Sequence, residues 1–185
     1  MLKKIKEIVT FLQEKTNYDP KIGIILGTGL GKLANEIDIE HSISYENIPH
    51  FPISTVEGHS GRLIFGKLGG KKVVAMQGRF HYYEGYAMEE VILPIRVMKL
   101  LGIKKLIVSN ASGGVNPEYE IGDLMILSDH INLIPNPLIG SNISELGPRF
   151  PDMSETYCKN LIQKAENIAK ENQIIIKKGV YIALT

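Results

Sequence analysis

The chain has 185 residues, and its 21 Lys+Arg against 20 Asp+Glu leave a formal charge of +1. That balance excludes a broad electrostatic footprint for nucleic acid or an anionic membrane, which needs clustered, uncompensated cations. With 44% hydrophobic and 22% charged residues, the composition is that of a globular chain with a core to bury, read as one domain over residues 1–185.

The N-terminus, MLKKIKEIVTFLQEK, interleaves charges with apolar residues and carries no signal-peptide pattern, and no apolar run reaches membrane-spanning length. Leu2, Ile5, Val9 and Leu12 recur at helical spacing, which predicts an amphipathic helix over 2–15, closed between Asn17 and Pro20. KIGIILG at 21–27 is a short β-branched run bounded by glycine and suits a strand buried on both faces. GTGLG follows it directly. Residues 62–68 and 71–76 are apolar runs joined by Gly69-Gly70, the dipeptide of a tight hairpin. Residues 87–101 have helical spacing, with Pro94 either kinking that helix or sitting in its first turn, and Gly102 closes it. A buried strand is expected over 104–109, ending in the small-residue loop Asn110-Ala-Ser-Gly-Gly, and a further strand over 124–127.

From 132 to 151 the chain carries Pro135, Pro137, Pro148 and Pro151 among Gly, Ser and Asn, which predicts a long irregular loop with a role in function or assembly. Asp152 and Glu155 have capping-box spacing, and Cys158, Leu161, Ile162, Ala165, Ile168 and Ala169 then share a helical face, so Cys158 is expected in the core. A single cysteine forms no intrachain disulfide, and a cytoplasmic protein is expected. Residues 174–185 alternate towards a last strand. Strands alternating with helices, and glycine loops after strands, predict an α/β fold with no internal repeat and no linker to divide it. Ligands of such folds gather at the carboxyl ends of strands.

GTGLG fails the dinucleotide fingerprint because Lys32 stands where its third glycine belongs, and no GxxxxGK[ST] loop is present. Glycines after a strand still let backbone N–H groups converge on an anion, with the Thr28 hydroxyl as a further donor; a turn that binds nothing is the alternative. In GRFHYYEG at 78–85, Arg79 offers a permanently charged fork and His81, two residues on, shares its side of an extended chain. Together they describe an anion site. Tyr83 is placed to lie against a sugar and Glu84 to orient His81, whereas an Arg–Glu surface pair is the bland alternative. His59 sits in the glycine-flanked loop EGHSG. The five histidines show neither HExxH nor paired Cys/His spacing, so no metal is expected, and no GxSxG nucleophile is present.

The ordered set GTGLG, EGHSG, MQGRFHYYEGY, VSNASGG and RFPDMS resembles the trimeric, low-molecular-mass family of purine nucleoside phosphorylases, from about Lys21 to Thr185. The resemblance implies a single α/β domain with a central mixed β-sheet flanked by helices, and phosphorolysis of inosine- and guanosine-class nucleosides to free base and pentose 1-phosphate, in a homotrimer, with phosphate as co-substrate and no organic cofactor or metal. It implies catalytic and phosphate-binding roles for Arg79 and His81, phosphate contacts from Thr28, His59 and the Ala111 backbone, and a supporting role for Glu84. Tyr83, Asn110, Ala111 and Gly113 would touch the nucleoside, and Phe150 would reach a neighbouring subunit's site. Thr28 stands where serine is usual and Ser112 where alanine is common. In the family the residues that read the purine follow the strand ending here at Thr185, which implies a chain truncated at its C-terminus. A methylthioadenosine phosphorylase and a noncatalytic phosphate or nucleoside binder are the alternatives.

Overall fold

A computed structural model of the chain describes residues 1–27, 29–52 and 61–184. By its internal contacts the chain divides into two compact units, Met1–Ala111 and Ser112–Thr185.

The first unit opens with α1 (Leu2–Thr16), whose Ile5, Ile8, Val9, Leu12 and Thr16 are buried. Asn17 adopts a left-handed conformation and returns its N–H to the Gln13 carbonyl at 2.8 Å, which ends the helix as the sequence predicts. β1 (Ile22–Leu26) follows, then a 3-10 turn over Gly31–Glu36, β2 (Asp38–Ser44) and a second 3-10 turn over Tyr45–Asn47. β3 (Arg62–Leu68) and β4 (Lys71–Gln77) form the expected antiparallel hairpin. Gly69 and Gly70 both have positive φ, 53° and 73°, as a primed two-residue turn requires.

The 87–101 stretch becomes two helices, α2 (Met88–Val91) and α3 (Leu93–Leu100), with Pro94 in the first turn of α3. β5 (Lys105–Val108) completes the unit. The strand order is β2-β3-β4-β1-β5, antiparallel among β2, β3 and β4 and parallel from β4 through β1 to β5. This mixed sheet matches expectation. Strand β2, which sequence reading passed over, supplies the outer edge. α3 comes down onto β1 at Gly23, where any Cβ would lie 2.9 Å from the Ile103 Cδ1 and 3.0 Å from the Met98 Sδ.

Four expectations need correcting. β5 forms, but Leu106, Ile107 and Val108 are exposed rather than buried, because β5 is the last strand of the sheet order and, among the described residues, pairs on one side only. In the second unit, β6 (Leu124–Asn132) pairs in parallel with β7 (Ile176–Ala183), and α4 (Lys159–Glu171) lies between them in sequence. β6 runs five residues beyond the predicted 124–127, passing a register shift at Asp129. Residues 133–158 are irregular, as the prolines predict. Cys158 is the N-cap of α4 and is exposed, not a core residue: it stands before the first helical turn and so off the apolar face. Asp152 does not cap α4 either. Its carboxylate accepts the Ser154 N–H at 2.8 Å in a local turn, and that bond holds its pKa below the usual carboxylate value.

Candidate functional site

Parallel pairing in the first unit brings three strand ends to one sheet edge. Register places Leu26 beside Gln77 and Ile25 beside Val108, so the segments that follow β1, β4 and β5 leave together. These are the glycine loop, the Gly78–Gly85 segment and the Ser109–Ala111 loop.

Their junction is tightly built. The Gly27 N–H donates to the Ser109 Oγ at 3.1 Å, and that hydroxyl in turn donates to the Ile25 carbonyl at 3.1 Å. A Cβ on Gly27 would collide with the Ser109 carbonyl and lie 2.7 Å from the Asn110 Cα. Only glycine allows the two loops to approach this closely. Gln77, the last residue of β4, receives the Arg62 Nε–H at 2.7 Å and turns its own amide N–H₂ to the Gly31 carbonyl at 3.4 Å. A guanidinium only donates, so Arg62 settles which end of the Gln77 amide faces the glycine loop.

Arg79 sits one residue past the Gly78 turn. Its Nη1 donates to the Ser109 carbonyl at 2.8 Å and its Nε to the His81 Nε2 at 2.9 Å. Because Nε2 accepts, the imidazole proton lies on Nδ1, which donates to the Glu84 carboxylate in a short contact. The same carboxylate accepts the His81 N–H at 3.2 Å, closing a capping box around the 3-10 turn Tyr82–Glu84. Glu84 therefore holds both the ring and the backbone of His81. The Tyr83 ring stacks on the imidazole with centroids 4.8 Å apart and planes 19° from parallel, yet Tyr83 is 81% exposed. Its open face is a platform beside the cation.

Behind this surface lies an aromatic cluster. Phe80, between Arg79 and His81 in sequence, is buried, and its ring is 5.2 Å from Tyr45 and 5.4 Å from Tyr86. Tyr45 donates its hydroxyl to the Gly78 carbonyl at 2.7 Å, and burial pushes its phenol well above the usual value of 10.0.

The structure thus brings together Arg79, His81, Tyr83 and Glu84, with Asn110 and Ala111 continuing from the Ser109 carbonyl that Arg79 holds. Thr28 and His59 lie outside the described residues. Gly113 and Phe150 belong to the second unit, where both are exposed and the Arg149 guanidinium lies 5.8 Å above the Phe150 ring. Sequence reading missed Ser109, Gln77, Arg62 and Tyr45. Each is one polar group inside or beside an apolar run, and its partner becomes visible only with strand register.

A forked cation, a histidine of fixed tautomer and glycine-rich backbone meet at the strand carboxyl ends of an α/β fold, a set of groups suited to an anionic ligand. Comparison with known proteins narrows that class. Residues 21–185 match the Phosphorylase superfamily. The chain is 56% identical to purine nucleoside phosphorylase 1 of Bacillus subtilis (strain 168), an alignment over all of this chain and 69% of that one. It is 57% identical to purine nucleoside phosphorylase 1 of Geobacillus stearothermophilus, over 98% of this chain and 66% of that one. A crystal structure of the Schistosoma mansoni purine nucleoside phosphorylase in complex with inosine superposes with a TM-score of 0.93 at 47% identity, covering 98% of this chain and 66% of that one. The chain belongs to the phosphorylase superfamily and, within it, to the purine nucleoside phosphorylases. It spans about two thirds of the length of these relatives.

Proposed function

We propose that this chain carries the phosphate end of an enzyme that cleaves purine nucleosides by phosphorolysis, with inorganic phosphate as co-substrate and neither metal nor organic cofactor. A phosphate oxygen forms a bond to the anomeric carbon as the glycosidic C–N bond breaks; the electron pair leaves with the purine, which takes up a proton, and the pentose becomes its 1-phosphate. Phosphate is a modest nucleophile, so catalysis depends on holding it against a sugar that develops positive charge. The phosphate's own negative charge then stabilises that sugar.

The observation that carries this reading is the Arg79–His81–Glu84 chain. Arg79 supplies the charged fork. His81, its proton committed to Glu84, presents an Nε2 lone pair that accepts the hydroxyl of hydrogenphosphate once phosphate displaces the Arg79 Nε–H. Tyr83 lies against the sugar, and the Asn110–Ala111 backbone borders both substrates. Thr28 and His59 add phosphate contacts, Gly113 borders the nucleoside, and Phe150 serves a neighbouring subunit's site in a homotrimer. Residues 1–185 form part of one nucleoside phosphorylase domain. Inosine and guanosine are the preferred class; relatives of this fold are known in complex with inosine and with hypoxanthine. Among the described residues no helix is long and apolar enough to cross a membrane; a cytoplasmic location is carried over from the sequence reading as part of this proposal.

The test is hypoxanthine release from inosine, with and without phosphate, beside a methylthioadenosine control. Release from inosine that requires phosphate is expected. In Arg79→Ala the phosphate KM or Kd rises about 10- to 100-fold, since hydrogen bonds to a charged group are worth about 1.5–3 kcal/mol. Phosphate-independent release, preference for methylthioadenosine, or phosphate binding untouched by Arg79→Ala overturns the reading.

A further inference from the structure

Tyr45 is buried, 3% exposed, and nothing proposed above uses its hydroxyl. That hydroxyl donates to the Gly78 carbonyl at 2.7 Å. The Gly78 carbonyl and the Arg79 N–H belong to one planar peptide unit, so fixing the first fixes the second and the direction in which Arg79 departs. Gly78 has φ +90°, a conformation that L side chains rarely adopt. The next anchor is Phe80. Its ring packs 5.2 Å from Tyr45, and in an extended segment successive side chains point to opposite sides, so burying Phe80 sends Arg79 and His81 outward together. His81 is extended, at φ −118° and ψ 145°.

Tyr45 is itself held independently of the site. Its N–H donates to the Gly61 carbonyl at 2.9 Å, its carbonyl accepts the Ile48 N–H at 3.0 Å, and its ring lies 5.3 Å from Phe51. Gly61 has no side chain, and a Cβ there would run into the Tyr45 ring. Burial keeps the phenol protonated, and so a donor, throughout the neutral range.

We propose that Tyr45 is a positioning residue for the anion site: its hydroxyl on the Gly78 carbonyl and its ring on Phe80 set the direction in which Arg79 and His81 meet phosphate. This role rests on the reading of Arg79 and His81 as the phosphate pair. A part in packing alone would lower stability and leave the phosphate affinity of the folded protein unchanged.

The experiment measures inorganic phosphate binding by calorimetry, with thermal unfolding, for the chain, Tyr45→Phe and Phe51→Leu. Tyr45→Phe keeps the ring and removes the donor, and is expected to weaken phosphate binding about five- to tenfold, the range of one lost buried hydrogen bond. Phe51→Leu thins the same cluster without touching Gly78; it lowers the midpoint and leaves the phosphate Kd within about twofold. Equal affinity in Tyr45→Phe and the parent chain, or equal weakening by both variants, overturns the positioning role. Failure of the parent chain to bind phosphate overturns the phosphate-site reading first, and this role with it. Should Tyr45→Phe not fold, the Tyr45 hydroxyl proton of the parent chain decides by NMR. Slow exchange with a resonance that moves at saturating phosphate supports the role, and a resonance that stays put overturns it.

Discussion

The two units pair their backbones equally well and bury their side chains very differently. β6 and β7 pair over eight positions with one register shift between Leu127 and Asp129, and the hairpin of β3 and β4 pairs over seven with none. Yet among the described residues, every buried apolar side chain except Ala169 lies in Met1–Ala111. Ile131, Val180 and Ile182 on the paired strands, and Ile168 on α4, stay more than two-fifths exposed. The difference teaches that backbone hydrogen bonds and hydrophobic burial are separate achievements. A ladder needs one neighbouring strand, whereas a core needs a layer over its face.

The sharpest way to break this comparison is to remove matched aromatic side chains. Phe65 is fully buried in the first unit and Phe150 is 86% exposed in the second. Phe65→Ala is expected to cost about 3–5 kcal/mol in urea unfolding, and Phe150→Ala less than about 0.5 kcal/mol. Similar losses would show that Phe150 sits in a packed environment and would erase the contrast.

A medium-sized effect comes from pH. Burial raises the Tyr45 phenol above its ordinary value of 10.0 in the folded protein, so its contribution is fully present below that value. As pH climbs higher, the unfolded chain ionises while the folded one resists, and stability falls by about 1.4 kcal/mol per pH unit for such a group. Tyr45→Phe has no phenol to ionise at this position. Its stability deficit relative to the parent chain therefore narrows between about pH 8 and about pH 11, as urea midpoints at the two values would show. A gap that stays constant would mean the phenol titrates alike in both states.

The smallest effect concerns Cys158, exposed at the start of α4. Its thiol is expected to react fully with a disulfide reagent in the absence of denaturant, and Cys158→Ser to change stability by less than about 0.5 kcal/mol. Protection of the thiol until unfolding would return it to the core position that helical periodicity suggests.

Much of this was legible beforehand wherever the cause is local. Gly69-Gly70 dictates its turn because only glycine takes two consecutive positive φ angles without strain. Pro94 starts a helix because it has no N–H to lose in the first turn. Arg79, His81 and Glu84 fall within six residues, and their alternation sufficed to suggest an anion site with an oriented imidazole. Cys158 misled because periodicity gives a face without saying where the helix begins. β5 misled because an apolar run records a tendency to be buried, and its place at the end of the strand order is topological.

The sequence alone therefore determined α1, β1, the β3–β4 hairpin with its turn and the identity of the chemical groups, all of which depend on neighbours a few residues away. The tertiary structure decided which strand ends meet, that Ser109 bridges β1 and receives Arg79, that Gln77 reaches Gly31, and that Tyr45 holds Gly78 across 33 residues of chain. Those partners are joined by sheet register and by burial, and neither is set until distant segments pack against one another.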